Sequence, residues 1–177
     1  MHRPRLLVVL ALAVALVSGA CDGVGSGSAP AAGDEAGAGS VVRVVDGDTV
    51  RVTTAGGEES VRLIGIDTPE THGPGGLREC FGQEATARMN ELLPEGRAVR
   101  LVRDAEARDR YGRLLAYVYR ADDSLFVNLA MAQEGFAAAL TIPPNVAHAD
   151  EFVAAAAEAR RRDLGLWGRC GDADRPL

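Results

Sequence analysis

Ser60-Val61-Arg62-Leu63-Ile64-Gly65-Ile66-Asp67-Thr68-Pro69-Glu70 reads as a strand from Ser60 to Ile66 that runs into a turn bearing carboxylates. β-branched and aliphatic residues fill the run, and Pro69 closes it. A glycine inside such a run marks a bend or bulge, the kind of corner a small closed barrel needs. Arg62 and Asp67 are five positions apart, so a straight strand would point them to opposite faces. Either Asp67 lies past the strand end or the Gly65 bend re-aims it.

Outward from this segment the elements are short. Val41–Val45 and Val50–Thr54 are β-branched runs, and Ala55-Gly56-Gly57-Glu58 is a turn into the Ser60 strand. Glu84–Leu93 carries Ala85, Met89 and Leu92 at helical spacing and is stopped by Pro94 and Gly96. Strands over Ala98–Arg103 and Leu114–Arg120 follow, with Asp122-Asp123 as a turn. Asn128–Glu134 is a helix ended by Gly135, and Ala147–Arg162 is a third, opened near Asn145 and closed by basic residues that suit the negative end of its dipole. Periodicity alone gives a small α+β domain.

Asp46-Gly47-Asp48, taken alone, is an ordinary tight turn, and Asp67-Thr68-Pro69-Glu70 can be read the same way, with Asp or Thr capping a helix. Two carboxylate-bearing turns, each at the end of a strand, change that reading. Two carboxylates and a backbone carbonyl make a hard oxygen site for calcium, magnesium or manganese. Zinc is excluded, because His2, His72 and His148 do not stand in ligand spacing with one another or with a cysteine pair. Arg62 and Arg113 supply planar guanidinium groups that can meet two phosphate oxygens at once. Either arginine alone would read as a solvated ion pair.

In wording, order and spacing, Val45-Asp46-Gly47-Asp48-Thr49, Arg62 to Glu70 and Asp109-Arg110-Tyr111-Gly112-Arg113 resemble the staphylococcal nuclease (thermonuclease) family from about Val41 to Trp167. The resemblance implies an OB-type five-stranded β-barrel with three helices. It implies calcium held by Asp48, Asp67 and the Thr68 carbonyl, with Arg62, Glu70 and Arg113 as catalytic residues. Glu70 would be the general base or positioner of the attacking water. Asp46 and Asp109 would belong to the supporting shell, and Arg110 would lie near the terminal phosphate. The implied reaction is hydrolysis of DNA, with RNA as a second candidate substrate, at the 5′ P–O bond to leave 3′-phosphates. The chain departs from the family after Gly135, where tyrosines commonly flank the nucleotide: Ala137 to Pro144 holds no aromatic residue. Aromatic stacking contributes about 1–3 kcal/mol per base, so nucleotide affinity is expected to be weaker. Tyr111 remains, either as a substrate contact or as a core or barrel-rim tyrosine beside Gly112.

Before Ser40 the chain reads differently. Residues 1–20 carry Arg3 and Arg5, an apolar run Leu6–Val17 and then small residues, which is a signal peptide and too short for a membrane span of ~30 Å. Residues 21–39 are a Gly/Ser/Ala-rich tether, and 40–177 the nuclease-like domain. Ser18-Gly19-Ala20 fits both an ordinary cleavage site and the lipobox before a lipid-modified Cys21. Export and parity pair Cys80 with Cys170 and leave Cys21 over, which favours lipidation and a surface-anchored protein over a fully secreted one.

The domain holds 17 arginines, no lysine and 22 acids. Non-specific affinity for nucleic acid comes mainly from cationic neutralisation of phosphates. A net negative domain therefore suits a turnover enzyme with a local cationic site better than a storage binder. A monomer is expected. Two alternatives of other classes are a catalytically silent OB module that binds nucleic acid or a partner, and a calcium-binding surface lipoprotein. Glu70 argues against the first, since a phosphate binder gains nothing from a carboxylate facing its ligand. Arg62 and Arg113 argue against the second.

Overall fold

The computed structural model describes residues 35–71 and 78–170. The leader, Cys21 and most of the tether lie outside the described residues, as does His72.

Strand β1 (Glu35–Val44) pairs antiparallel with β2 (Thr49–Thr54), with a bulge between Val41 and Arg43. β2 turns through Ala55-Gly56 into β3 (Gly57–Leu63), with Thr54 opposite Gly57. The Thr54 hydroxyl accepts from Gly56 N and donates to Gly57 O. β3 runs parallel to β6 (Leu114–Arg120), β6 is antiparallel to β5 (Ala98–Val102), and β5 returns antiparallel to β1, closing a five-stranded barrel. Val50, Val52, Val61, Leu63, Val99, Leu101 and Val118 point inward and are buried to 1% exposure or less. Strand alternation thus puts Arg62, between Val61 and Leu63, on the outside of the barrel.

Helix α1 (Gly82–Leu92) buries Ala85, Met89 and Leu92 as its spacing predicts, starting two residues before the expected Glu84. α2 (Val127–Gln133) lies one residue before its expected span. α3 (Ala149–Arg161) begins after the expected Ala147, and a short α4 (Leu166–Arg169) completes the described chain. The three expected helices and the OB-type α+β barrel are present.

Three expectations are corrected. β1 starts at Glu35 and not at Val41, so five residues read as tether, 35–39, are strand, paired with Val102 to Val99 of β5. The expected strand Ser60–Ile66 is two strands: Gly65, at φ +85°, separates β3 from β4 (Gly65–Asp67), which leaves the barrel to pair with β7 (Ala138–Leu140). Asn145 does not open α3, whose N-cap position is His148 without a side-chain cap.

The break at Gly65 is stitched by Asn128, fully buried on α2. Its amide donates to Ile64 O at 2.8 Å and Ala116 O at 3.2 Å, while its Oδ1 accepts from Val118 N at 2.9 Å. A buried carbonyl freed by a bend must find such a donor, because leaving it unpaired costs about 1–3 kcal/mol. On the other side Phe152 of α3 packs directly over Gly65. The expected Cys80–Cys170 disulfide is formed, Cα to Cα 5.8 Å, and ties the segment before α1 to the end of α4.

Candidate active site

The Gly65 bend answers the question posed by the spacing of Arg62 and Asp67. Because β4 swings out of the barrel, Asp67 returns to the face that Arg62 occupies, and Arg62 Nη2 lies 3.2 Å from Asp67 Oδ1. The same nitrogen lies 2.9 Å from Asp48 Oδ2. Arg62 Nη1 donates to Leu63 O and, at 3.0 Å, to Ile66 O, so the guanidinium is held by the backbone of the bend itself.

Asp48 is 3% exposed. It accepts from Thr68 N at 3.2 Å and from the Thr49 hydroxyl at 3.0 Å. Its own amide donates to Asp46 Oδ1 at 3.1 Å. The two carboxylate-bearing turns, twenty residues apart, are therefore joined through Asp48 and Thr68. Gly47 permits this: a Cβ there would lie 2.6 Å from the Thr68 hydroxyl.

Burial raises the Asp48 carboxyl well above the ordinary carboxylate range, against the opposing pull of Arg62. Asp67 is raised by burial as well, again against Arg62. Glu70 is exposed at the surface; partial burial, and then the charges of Asp46, Glu79 and Asp67, raise its carboxyl above the ordinary value. Its backbone is fixed to the segment before α1: Glu70 N donates to Glu79 Oε2 at 2.8 Å, and Glu79 N donates to Glu70 O at 2.9 Å.

Two carboxylates converging on one positive nitrogen, with burial disfavouring their charge, form a donor set suited to a hard divalent cation. Among the described residues no group of three or more His, Cys, Asp or Glu side chains is arranged as a metal cage. A cation at this pair would therefore draw its remaining oxygens from backbone and water.

The Asp109–Arg113 loop is organised by one carboxylate. Asp109 Oδ1 accepts from Tyr111 N and Arg113 N, both at 2.9 Å, and Oδ2 accepts from Arg113 Nε at 2.7 Å. Gly112, at φ +80°, lets the chain turn back within this grip. Arg108 staples the loop from outside, donating to Gly112 O at 2.8 Å and reaching both oxygens of Glu59 on β3 at 2.8 and 3.0 Å. Tyr111 is 68% exposed, so it is not the core tyrosine that the sequence left possible. Arg110 lies over its ring at 4.7 Å and Arg113 at 5.7 Å.

Arg62 belongs to both halves of the site. It also lines a cavity of about 460 Å³ together with Asp109, Arg110, Tyr111, Arg113, the aliphatic residues Ile64, Ile66, Leu115, Leu140 and Ile142, and Glu106 and Asn145. Asp48, Asp67, Thr68 and Glu70 are not among its walls. Motif reading missed Leu140, Ile142, Glu106 and Asn145. Leu140 and Ile142 stand in the stretch without aromatics, and only the fold of β7 and the loop after it brings them to this wall.

A closed OB-type barrel with paired carboxylates and paired guanidinium groups gathered at one strand break has the architecture of a phosphate-directed hydrolase. Comparison with known proteins makes this particular: the family described as staphylococcal nuclease homologue matches residues 60–169, and the chain belongs to that family. It is 41% identical over 129 residues to a thermonuclease of Staphylococcus intermedius, covering 73% of this chain and 75% of that protein. It is 36% identical over 127 residues to a thermonuclease of Staphylococcus hyicus, covering 72% and 73%. It is also 38% identical over 130 residues to the SPbeta prophage-derived endonuclease YokF of Bacillus subtilis, covering 73% of this chain and 43% of the relative.

Proposed function

We propose that this protein is a calcium-dependent nuclease that hydrolyses DNA, and RNA, at the 5′ P–O bond and leaves 3′-phosphates. One observation carries the reading: Arg62 joins the Asp48–Asp67 carboxylate pair to a nucleotide-sized cavity that also holds Arg110 and Arg113. Membership in a nuclease family supports hydrolysis of phosphodiesters.

In this reading Asp48, Asp67 and the Thr68 carbonyl would hold the calcium, which would supply Lewis-acid stabilisation of a phosphate oxygen. Arg113 binds the phosphate, and Arg62 joins it once the Asp48 and Asp67 carboxylates that now engage its Nη2 are taken over by the cation. Together they meet the negative charge that grows on the equatorial oxygens, the larger part of catalysis for such a reaction. Asp109 fixes Arg113 by its Nε–H, leaving the terminal nitrogens free to fork onto phosphate. Glu70 takes the proton of the attacking water while the water oxygen bonds to phosphorus; the bond to the 5′ oxygen breaks, and that oxygen keeps the electron pair and takes a proton from solvent to leave as a 5′-hydroxyl. Arg110 and Tyr111 position the neighbouring phosphate or base.

We propose further that the protein is exported and held at the cell surface by a diacylated Cys21, acting as a monomer. The test of activity is incubation of the purified protein with DNA and with RNA in calcium, in magnesium and in chelator, followed by end-group analysis. Cleavage in calcium alone with 3′-phosphate ends is expected. Equal rates in chelator, or no cleavage under any condition, would overturn the proposal.

A further inference from the structure

The cavity has two unlike kinds of lining. Its cationic side chains, Arg62, Arg110 and Arg113, are accounted for by phosphate. The lining also includes the aliphatic residues Leu140 and Ile142, the latter 60% exposed, and Glu106, tied to Ile142 through Asn145, whose N donates to Ile142 O at 3.1 Å. A carboxylate in the lining of a pocket for a polyanion weakens binding of every ligand unless the ligand brings donors to it.

Asp109, the cavity's other carboxylate, is fully used by Arg113 and Tyr111. Glu106 is different: its hydrogen bonds to Asn145 are made by its backbone. Asn145, 7% exposed on the loop after β7, accepts from Glu106 N at 2.7 Å and donates to Glu106 O at 3.2 Å. Both ends of a buried amide are thus committed to fixing one exposed residue 39 positions away. Asp104 adds a second staple between the same loops, accepting from Ala147 N at 2.9 Å and from the Tyr117 hydroxyl at 2.8 Å. Glu106 thus brings a carboxylate to the cavity lining on a backbone fixed at both its N–H and its C=O.

We propose that Glu106 is a specificity residue that selects guanine. An ionised carboxylate offers two adjacent acceptors and no donor. In an unpaired nucleotide the Watson–Crick edge is open to a side chain. Guanine presents two adjacent donors there, N1–H and the 2-amino group. Adenine, cytosine and thymine each place an acceptor beside their one donor, so a carboxylate pairs with guanine by two bonds and meets a lone pair on the others. The aliphatic wall of Leu140 and Ile142 takes the base face where the family pattern has tyrosine, and it accepts any base. Discrimination therefore falls to Glu106.

This inference rests on the nuclease reading of the cavity, and the experiment separates the two. Titration calorimetry of the full chain in calcium with the 3′,5′-bisphosphates of guanosine, adenosine, cytidine and thymidine should show guanosine bisphosphate binding roughly tenfold tighter or more. Glu106→Gln, which pairs one donor against a guanine donor, and Glu106→Ala should both bring guanosine to the level of the others. Melting curves establish that both variants are folded. Equal binding of the four by the parent, or a preference unchanged in Glu106→Ala, would overturn the role of Glu106 and leave the nuclease reading intact. Binding of none of the four, with no cleavage of DNA, would overturn both.

Discussion

Arg62 and Asp48 form an ion pair of 2.9 Å in which the side chains are only 13% and 5% exposed. Such a pair contributes little by itself, because taking both charges from water offsets their attraction, yet removing one partner strands the other. Arg62→Met is therefore expected to lower the stability of the metal-free protein by about 3 kcal/mol, the lower end of the usual range since Asp48 can take up a proton. Calcium should restore part of the loss by supplying the missing charge. Denaturant unfolding with and without calcium checks this, and an unchanged midpoint for the variant in chelator would show that the pair is not structural.

Asp109 gives a pH dependence of known sign. Burial pushes its carboxyl up, but the Arg113 side chain and the amides of Arg113 and Tyr111 outweigh it, so its pKa is lowered in the folded protein. A lowered carboxylate contributes stability that is complete above its unfolded value and is lost as pH falls through its folded value. The Asp109–Arg113 loop should thus hold down to below the ordinary carboxylate range and loosen only in stronger acid. A carboxyl titration by NMR with its midpoint at or above the ordinary Asp value of 3.8 would contradict the hydrogen bonding of Asp109 to Arg113 and Tyr111.

How far the sequence carried the fold depended on whether a signal was local. β6 was legible because Leu114–Arg120 is one aliphatic and aromatic run between turns, and α1 because its buried residues recur at helical spacing. The first half of β1 was not, since Glu35–Gly39 is composed like a linker and becomes strand only because β5 offers it a free edge. β7 is Ala-Ala-Leu, three residues with no strand propensity, fixed by β4 across the chain. The charged members of the site were legible as three motifs. The clamp of Asn145 on Glu106 was not, because it joins two loops whose sequences carry no sign of each other.

The chemistry is tested by two substitutions that keep the fold. Glu70→Gln removes the base and keeps the shape, and general-base effects are typically about 10²- to 10⁴-fold. Arg113→Lys keeps one charge and loses the fork, at a cost on the order of 10²- to 10³-fold. Both should lower kcat far more than calcium affinity or melting temperature. An Arg113→Lys enzyme within about threefold of the parent would reduce this guanidinium to a surface ion paired with Asp109.

The Cys80–Cys170 bond closes a segment of 90 residues. In the chain-entropy account a loop of that length stabilises the fold by roughly 4–5 kcal/mol, by restricting the unfolded chain. The double variant Cys80→Ser, Cys170→Ser should melt well below the parent, and reduction should lower the parent's melting temperature to a similar degree. Equal melting temperatures for oxidised and reduced protein would remove the bond from the sources of stability.

Gly65 is where fold and site meet, and Gly65→Ala tests both. Its φ of +85° disfavours any side chain, and a Cβ would lie 2.1 Å from Cε2 of Phe152, so either the ring or the bend must shift. A left-handed non-glycine residue costs about 1–2 kcal/mol and overpacking about 1–3, giving an expected loss of roughly 2–5 kcal/mol. Phe152→Leu in the same chain should recover the packing part and leave the backbone part. The activity should behave differently. Arg62 reaches Asp67 and Ile66 O only because the chain turns at Gly65, so a shifted bend pulls Asp67 away from Arg62 and Asp48. Calcium affinity and kcat should both fall in Gly65→Ala by more than the loss of stability explains at a temperature where the variant is fully folded. A folded Gly65→Ala protein with the parent's calcium affinity would mean that the bend and the carboxylate pair are independent, and that Asp67 reaches its place by the β4–β7 pairing alone.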